Sequence, residues 1–71
     1  EDEAVAAGVD SLSGDIRAGF AKAAEEADYN AALKIVSRIK KTNEPLAEFL
    51  EALVREFQFD KLQEYFNRRN A

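Results

Sequence analysis

Hydroxyl and carboxylate side chains are the groups in this chain that could carry chemistry, and neither set has the partners that catalysis needs. A nucleophilic serine or threonine requires a nearby base, and the sequence contains no histidine and no cysteine. Glu51 stands four residues before Arg55, which is the spacing of an ordinary ion pair on an exposed helix face. A calcium loop of alternating aspartates closed by glutamate is missing from the sequence. These residue types predict a protein that is not an enzyme and that has neither a metal site nor a cofactor.

A basic ridge is the first set of residues whose spacing suggests binding. Lys34, Arg38 and Lys41 recur at i, i+4 and i+7, so they share one face of a predicted helix. This cationic ridge would meet an acidic protein surface or a phosphate. The alternative is a solvated face that balances the acids of the preceding helix. Because the chain has a net charge of −4, nucleic acid is not a predicted partner.

Aromatic residues near the end of the chain have two interpretations. A small domain must bury its large side chains, so these rings are expected to close the core: Phe57, Phe59, Tyr65 and Phe66. If the last helix packs with only part of its face, Tyr65 and Phe66 would instead form a patch that docks a partner or a second copy. Together with the cationic ridge, these two residues are the candidate partner-binding residues.

Helix caps predict the elements that would position these residues. Ser13, Asp28 and Asn43 each precede a stretch in which apolar residues recur at the helical period. Asp60 with Gln63 three positions later resembles a capping box for one more helix. The pattern therefore predicts an all-α fold, a small antiparallel bundle of four short amphipathic helices, without an internal repeat.

The domain is expected to occupy residues 13–71, preceded by a linker or a weak N-terminal helix over residues 1–12. Residues 1–28 carry eight acids and two bases, whereas residues 29–71 carry six acids and eight bases. Such a dipolar chain suits protein partners. No apolar stretch approaches the length of about 20 residues that a membrane span needs, and the lack of cysteine favours an intracellular setting.

The second half of the chain resembles a known group of signalling modules. From Asp28 to Phe66 it contains Asp-Tyr-x-x-Ala-Leu, Ile-Val, Leu-Ala-x-x-Leu and Leu-Val-x-x-Phe-x-Phe-x-x-Leu. This pattern is similar to the helical tails that close multidomain sensor histidine kinases of two-component signalling. The resemblance implies a bacterial cytoplasmic module that lies beside kinase or receiver domains.

A related comparison is with histidine phosphotransfer domains, whose phosphorylated helix carries His-x-Leu-Lys-Gly. The segment Ala31-Ala32-Leu33-Lys34-Ile35 is similar at two positions, and Ala31 stands where the histidine would be. This resemblance implies a degenerate module that does not accept a phosphoryl group. It would still contact a receiver, with Lys34 and Arg38 facing the acidic pocket of that receiver.

Two functions of different classes follow from these patterns. The first is a non-catalytic interaction or regulatory domain of a larger bacterial signalling protein, which would contact a receiver or kinase domain in cis or in trans. The alternative is a homodimerisation or docking module that joins subunits of a multidomain enzyme assembly.

Overall fold

The computed structural model describes residues 2–67, which form five α-helices in a compact arrangement. The Cα radius of gyration is 10.5 Å and the longest axis measures 28 Å. Residues 2–67 contain no β-strand, so the predicted all-α class is confirmed. The helices are α1 (Asp2–Asp10), α2 (Gly14–Glu25), α3 (Tyr29–Lys40), α4 (Glu44–Arg55) and α5 (Phe59–Asn67).

The prediction of four helices is wrong, because the segment before Ser13 forms a helix that packs into the core. Val5 and Val9 lie one turn apart on α1, and both are buried against the rest of the chain. Helix α1 contacts α4 and α5. A Cβ atom at Gly8 would lie 3.1 Å from Leu46 Cδ2, so this glycine permits the close approach of α1 to α4.

In two pairs of packed helices, the two members of the pair run antiparallel to each other. At the end of α4, Arg55 Nη1 donates to the hydroxyl of Tyr29 at the start of α3, over 3.3 Å. In the second pair, Phe20 of α2 packs against Phe66 near the end of α5, with ring centroids 4.8 Å apart. One turn further along α2, Gln63 Nε2 of α5 donates to the carbonyl oxygen of Ala24 over 3.3 Å. Helices α3 and α4 are therefore antiparallel, and so are α2 and α5.

The helices repeat at an interval of 30 residues, which the sequence analysis did not predict. Helix α4 begins and ends 30 residues after α2, and α5 begins 30 residues after α3. The caps repeat as well. Ser13 Oγ accepts from the Ile16 amide at 3.3 Å, and Asn43 Oδ1 accepts from the Leu46 amide at 3.2 Å.

The turns that end α2 and α4 share one geometry. Ala27 and Phe57 have φ angles of 53° and 59°, in the left-handed region. In each turn the next amide donates to a carbonyl five residues back, from Asp28 to Ala23 and from Gln58 to Leu53, both over 2.8 Å. This is the closure that commonly ends a helix at a left-handed residue. The chain therefore contains two helical hairpins with the same backbone geometry, the first formed by α2 and α3 and the second by α4 and α5.

Core residues follow the same interval. A helical hairpin cannot bury its own apolar face, so successive hairpins must pack against one another. Five pairs of buried residues stand 30 positions apart: Val9 and Ile39, Phe20 and Leu50, Ala24 and Val54, Ala32 and Leu62, and Val36 and Phe66. The residue types in each pair differ in size, and for this reason the repeat is hard to see in the sequence.

Candidate protein-binding surface

The cationic ridge lies on the outer face of α3 and continues to Lys41, the residue that caps the end of this helix. The cap fixes where this helix begins, because Asp28 Oδ1 accepts from the Ala31 amide over 3.1 Å. The inner face is buried and consists of Ala32, Val36 and Ile39. The three ridge residues fall on the opposite side, and all of them are exposed: Lys34, Arg38 and Lys41. The structure therefore brings the predicted basic residues together on one accessible face.

The cationic ridge has no acidic partner within residues 2–67. None of its three side chains forms an ion pair or hydrogen bond in this part of the chain. Ion pairs between these cations and the acids of α2 are absent from the described residues. The three side chains are exposed to solvent, as the alternative interpretation of a solvated face also expects.

The ion pair predicted on α4 is present, and it lies beside the first residue of α3. Arg55 Nη2 lies 2.9 Å from Glu51 Oε2, and Arg55 Nε donates to the same oxygen over 2.9 Å. This hydrogen bond with Glu51 raises the pKa of Arg55 above its ordinary value, and the charge of Glu51 and the nearby Tyr29 hydroxyl act in the same direction. Arg55 is thus an engaged cation, unlike those of the ridge.

Tyr65 and Phe66 do not form an exposed patch. Phe66 is 9% exposed and packs against Phe20 in the core. Tyr65 is half-buried, and its ring meets the ring of Phe49 nearly at right angles with centroids 5.8 Å apart. The structure places Phe66 in the core, which was the other interpretation of this residue, and a docking surface made of these two rings is not present.

Phe57 is the residue that the sequence analysis placed wrongly. Its spacing continues the apolar stripe of α4, so it was assigned to the core, yet its side chain is 67% exposed. The helix ends at Arg55, and the left-handed backbone of Phe57 turns its ring away from that stripe. The ring stacks on Tyr29 with centroids 5.3 Å apart and lies 6.2 Å from that of Phe59. The equivalent turn, 30 residues earlier, has Ala27 at this position with a similar φ angle, and neither residue type signals a left-handed turn in the sequence.

One comparison with known proteins decides the family. A family model for the C-terminal domain of hybrid histidine kinase-response regulators matches residues 3–67. The chain belongs to this family. The predicted resemblance to a C-terminal module of multidomain sensor kinases is confirmed, and this hybrid-kinase C-terminal domain is a domain of a larger signalling protein. No curated protein and no solved structure matches the chain.

The hybrid-kinase C-terminal domain also has an open groove between α1 and α4. Its volume is about 370 Å³, and it is lined by Ala4, Val5, Asn43, Pro45, Leu46 and Phe49. Five of these six lining residues are apolar, and Asn43 is the polar one. Across residues 2–67, no group of three or more acidic, histidine or cysteine side chains is placed to hold a metal ion. In that same stretch, no helix has the length and apolar character required to traverse a bilayer.

Proposed function

We propose that this hybrid-kinase C-terminal domain is a non-catalytic interaction domain, and that its cationic ridge docks on the receiver domain of the same bacterial signalling protein. The observation that carries the proposal is the exposed ridge on α3, whose three cations have no acidic partner within residues 2–67. The proposal puts the domain in the cytoplasm, next to the receiver.

Charge complementarity supports a receiver as the partner. A ridge of positive charge attracts a negative patch and accelerates the encounter, and exposed charges of this kind also select against wrong partners. The acidic pocket of a receiver offers such a patch. The family description places a kinase and a response regulator in the same protein, so a receiver would be present at high local concentration.

The docking would take place without phosphoryl transfer. In the resemblance to phosphotransfer domains, Ala31 corresponds to their histidine, and Lys34 and Arg38 follow one and two turns later on the same helix. An alanine methyl group cannot accept a phosphoryl group. The domain would therefore hold or cover the receiver, and it would change access to the receiver without consuming its phosphate.

Reversing two charges of the ridge should weaken binding to the receiver. For the double variant Lys34→Glu/Arg38→Glu we expect an affinity roughly tenfold lower, equal to about 1.4 kcal/mol, because two attractive contacts become repulsive. Isothermal titration calorimetry with the purified receiver domain of the same protein measures this change. The affinity of the unaltered chain should also fall as salt is added, since the contacts are exposed to solvent.

The matched control reverses two exposed cations outside the ridge, Lys22 on α2 and Lys61 on α5. The variant Lys22→Glu/Lys61→Glu changes the net charge by the same amount, so a general effect of charge would weaken both variants equally. Circular dichroism should show that both remain helical. If the ridge variant and the unaltered chain bind the receiver with equal affinity, the proposal that the cationic ridge is the contact surface is wrong.

A further inference from the structure

A second exposed feature lies where α3 and α5 begin and α4 ends. We call it the Phe57 cluster, and it consists of the rings of Tyr29, Phe57 and Phe59. In the described part of the chain, Phe57 is the one large hydrophobic residue that is exposed. Tyr29 is half-buried and Phe59 is buried, so the cluster is anchored in the fold and presents the Phe57 ring to solvent.

The fold does not require an aromatic residue at this position. Ala27 closes the equivalent turn with a nearly identical φ angle and only a methyl group. Glycine is the residue that this left-handed position prefers, and a bulky side chain is unfavourable there. The contacts of the ring with Tyr29 and Phe59 compensate for this cost only in part, since Phe57 remains 67% exposed. A side chain that strains its turn and stays in solvent points to a contact outside the domain.

Negative charge surrounds the Phe57 cluster in the chain. Five exposed acids lie in or beside the two turns: Glu25, Glu26, Asp28, Glu56 and Asp60. Two cations lie near these acids: Arg55, which is engaged by Glu51, and Lys61, which is exposed next to Asp60. Two copies of the chain that met through this face would bring the same acids together, so charge repulsion opposes self-association here. A partner with positive charge would complement the acids and could cover the ring.

We propose that the Phe57 cluster is a second docking surface, which binds a basic segment of a partner protein and packs an apolar side chain of that segment on the Phe57 ring. Aromatic rings attract lysine and arginine side chains as well as apolar ones, so the ring and the acids favour the same kind of segment. This function goes beyond docking on a receiver, because the cationic ridge selects an acidic partner and the Phe57 cluster a basic one.

A synthetic peptide of alternating lysine and leucine with one tryptophan tests this proposal. The chain contains no tryptophan, so the emission of the peptide reports binding alone. We expect a saturable blue shift of that emission when the 71-residue chain is added. A peptide with glutamate in place of lysine, and one with serine in place of leucine, should each bind at least tenfold more weakly. Equal binding of the acidic peptide, or no binding of the basic one, would overturn the proposal.

Two glycine variants distinguish the effect of losing the aromatic ring from the effect of relieving backbone strain in the turn. Phe57→Gly removes both the strain and the ring, and it should bind the basic peptide at least tenfold more weakly without a lower thermal midpoint. Ala27→Gly relieves the equivalent strain and should keep full binding. Phe57→Asn provides a second test if the glycine variant folds poorly, because asparagine also tolerates this conformation. Unchanged binding by the Phe57 variants would contradict the proposal, and so would a dimer of the unaltered chain that Phe57→Gly dissociates.

Discussion

Replacement of Phe20 with alanine should leave most of the chain unfolded at room temperature. Phe20 is fully buried on α2, and its ring contacts that of Phe66 on α5. Removing a buried phenylalanine side chain costs about 3–5 kcal/mol. The core of a domain of this size rarely contributes more than roughly 3–5 kcal/mol of net stability. The loss is therefore comparable to the whole free energy of unfolding.

Urea denaturation followed by circular dichroism measures this effect, and Phe57→Ala is its matched control. The same side chain is removed there, but Phe57 is 67% exposed, so we expect a loss of less than about 1 kcal/mol. A Phe20→Ala variant that unfolds at the same urea concentration as Phe57→Ala would contradict the packing of α2 against α5.

An acidic residue at position 9 should destabilise the domain by about 3 kcal/mol or more. Val9 is 1% exposed on α1, and aspartate there would place an unpaired charge in an apolar site. Ala7→Asp introduces the same charge on an exposed position of the same helix and should cost little. Thermal denaturation of the two variants compares them directly. Equal midpoints would mean that residues 1–12 behave as a linker and that α1 is not part of the core.

Local interactions explain why most helix boundaries could be predicted from the sequence. Ser13, Asp28 and Asn43 each accept from the amide three residues later. A cap of this kind depends on a single polar residue and the backbone next to it, so its sequence signal is self-contained. The outer face of α3 could be predicted for the same reason. Apolar residues at the helical period define the inner face of this helix, and the basic residues between them define its outer face.

Tertiary packing explains what the sequence did not reveal. Helix α1 is short and contains Gly8, and its stability depends on burying Val5 and Val9 against helices that lie far along the chain. The burial of Phe66 likewise depends on Phe20, 46 positions earlier. Periodicity within one segment contains no information about such partners.

Phe57 shows a different limit of sequence reading. Its spacing fits the apolar stripe of α4, and only the left-handed turn after Arg55 removes it from that stripe. Glycine is the usual sequence signal of such a turn, and a phenylalanine at this position gives no indication that the helix ends. The 30-residue repeat relates Phe57 to Ala27, which has the same left-handed turn. This repeat cannot be seen in the sequence, because residues 30 positions apart share backbone geometry and burial more than residue type.

The most direct test of receiver docking is to map the contact on the chain itself. We would titrate the isotopically labelled 71-residue chain with the unlabelled receiver domain of the same protein and record amide chemical shifts. The proposal predicts that the changes concentrate on Lys34, Arg38, Lys41 and their exposed neighbours on α3, and that they diminish with added salt. Changes confined to other faces, or none at receiver concentrations that saturate calorimetric binding, would contradict docking through the cationic ridge.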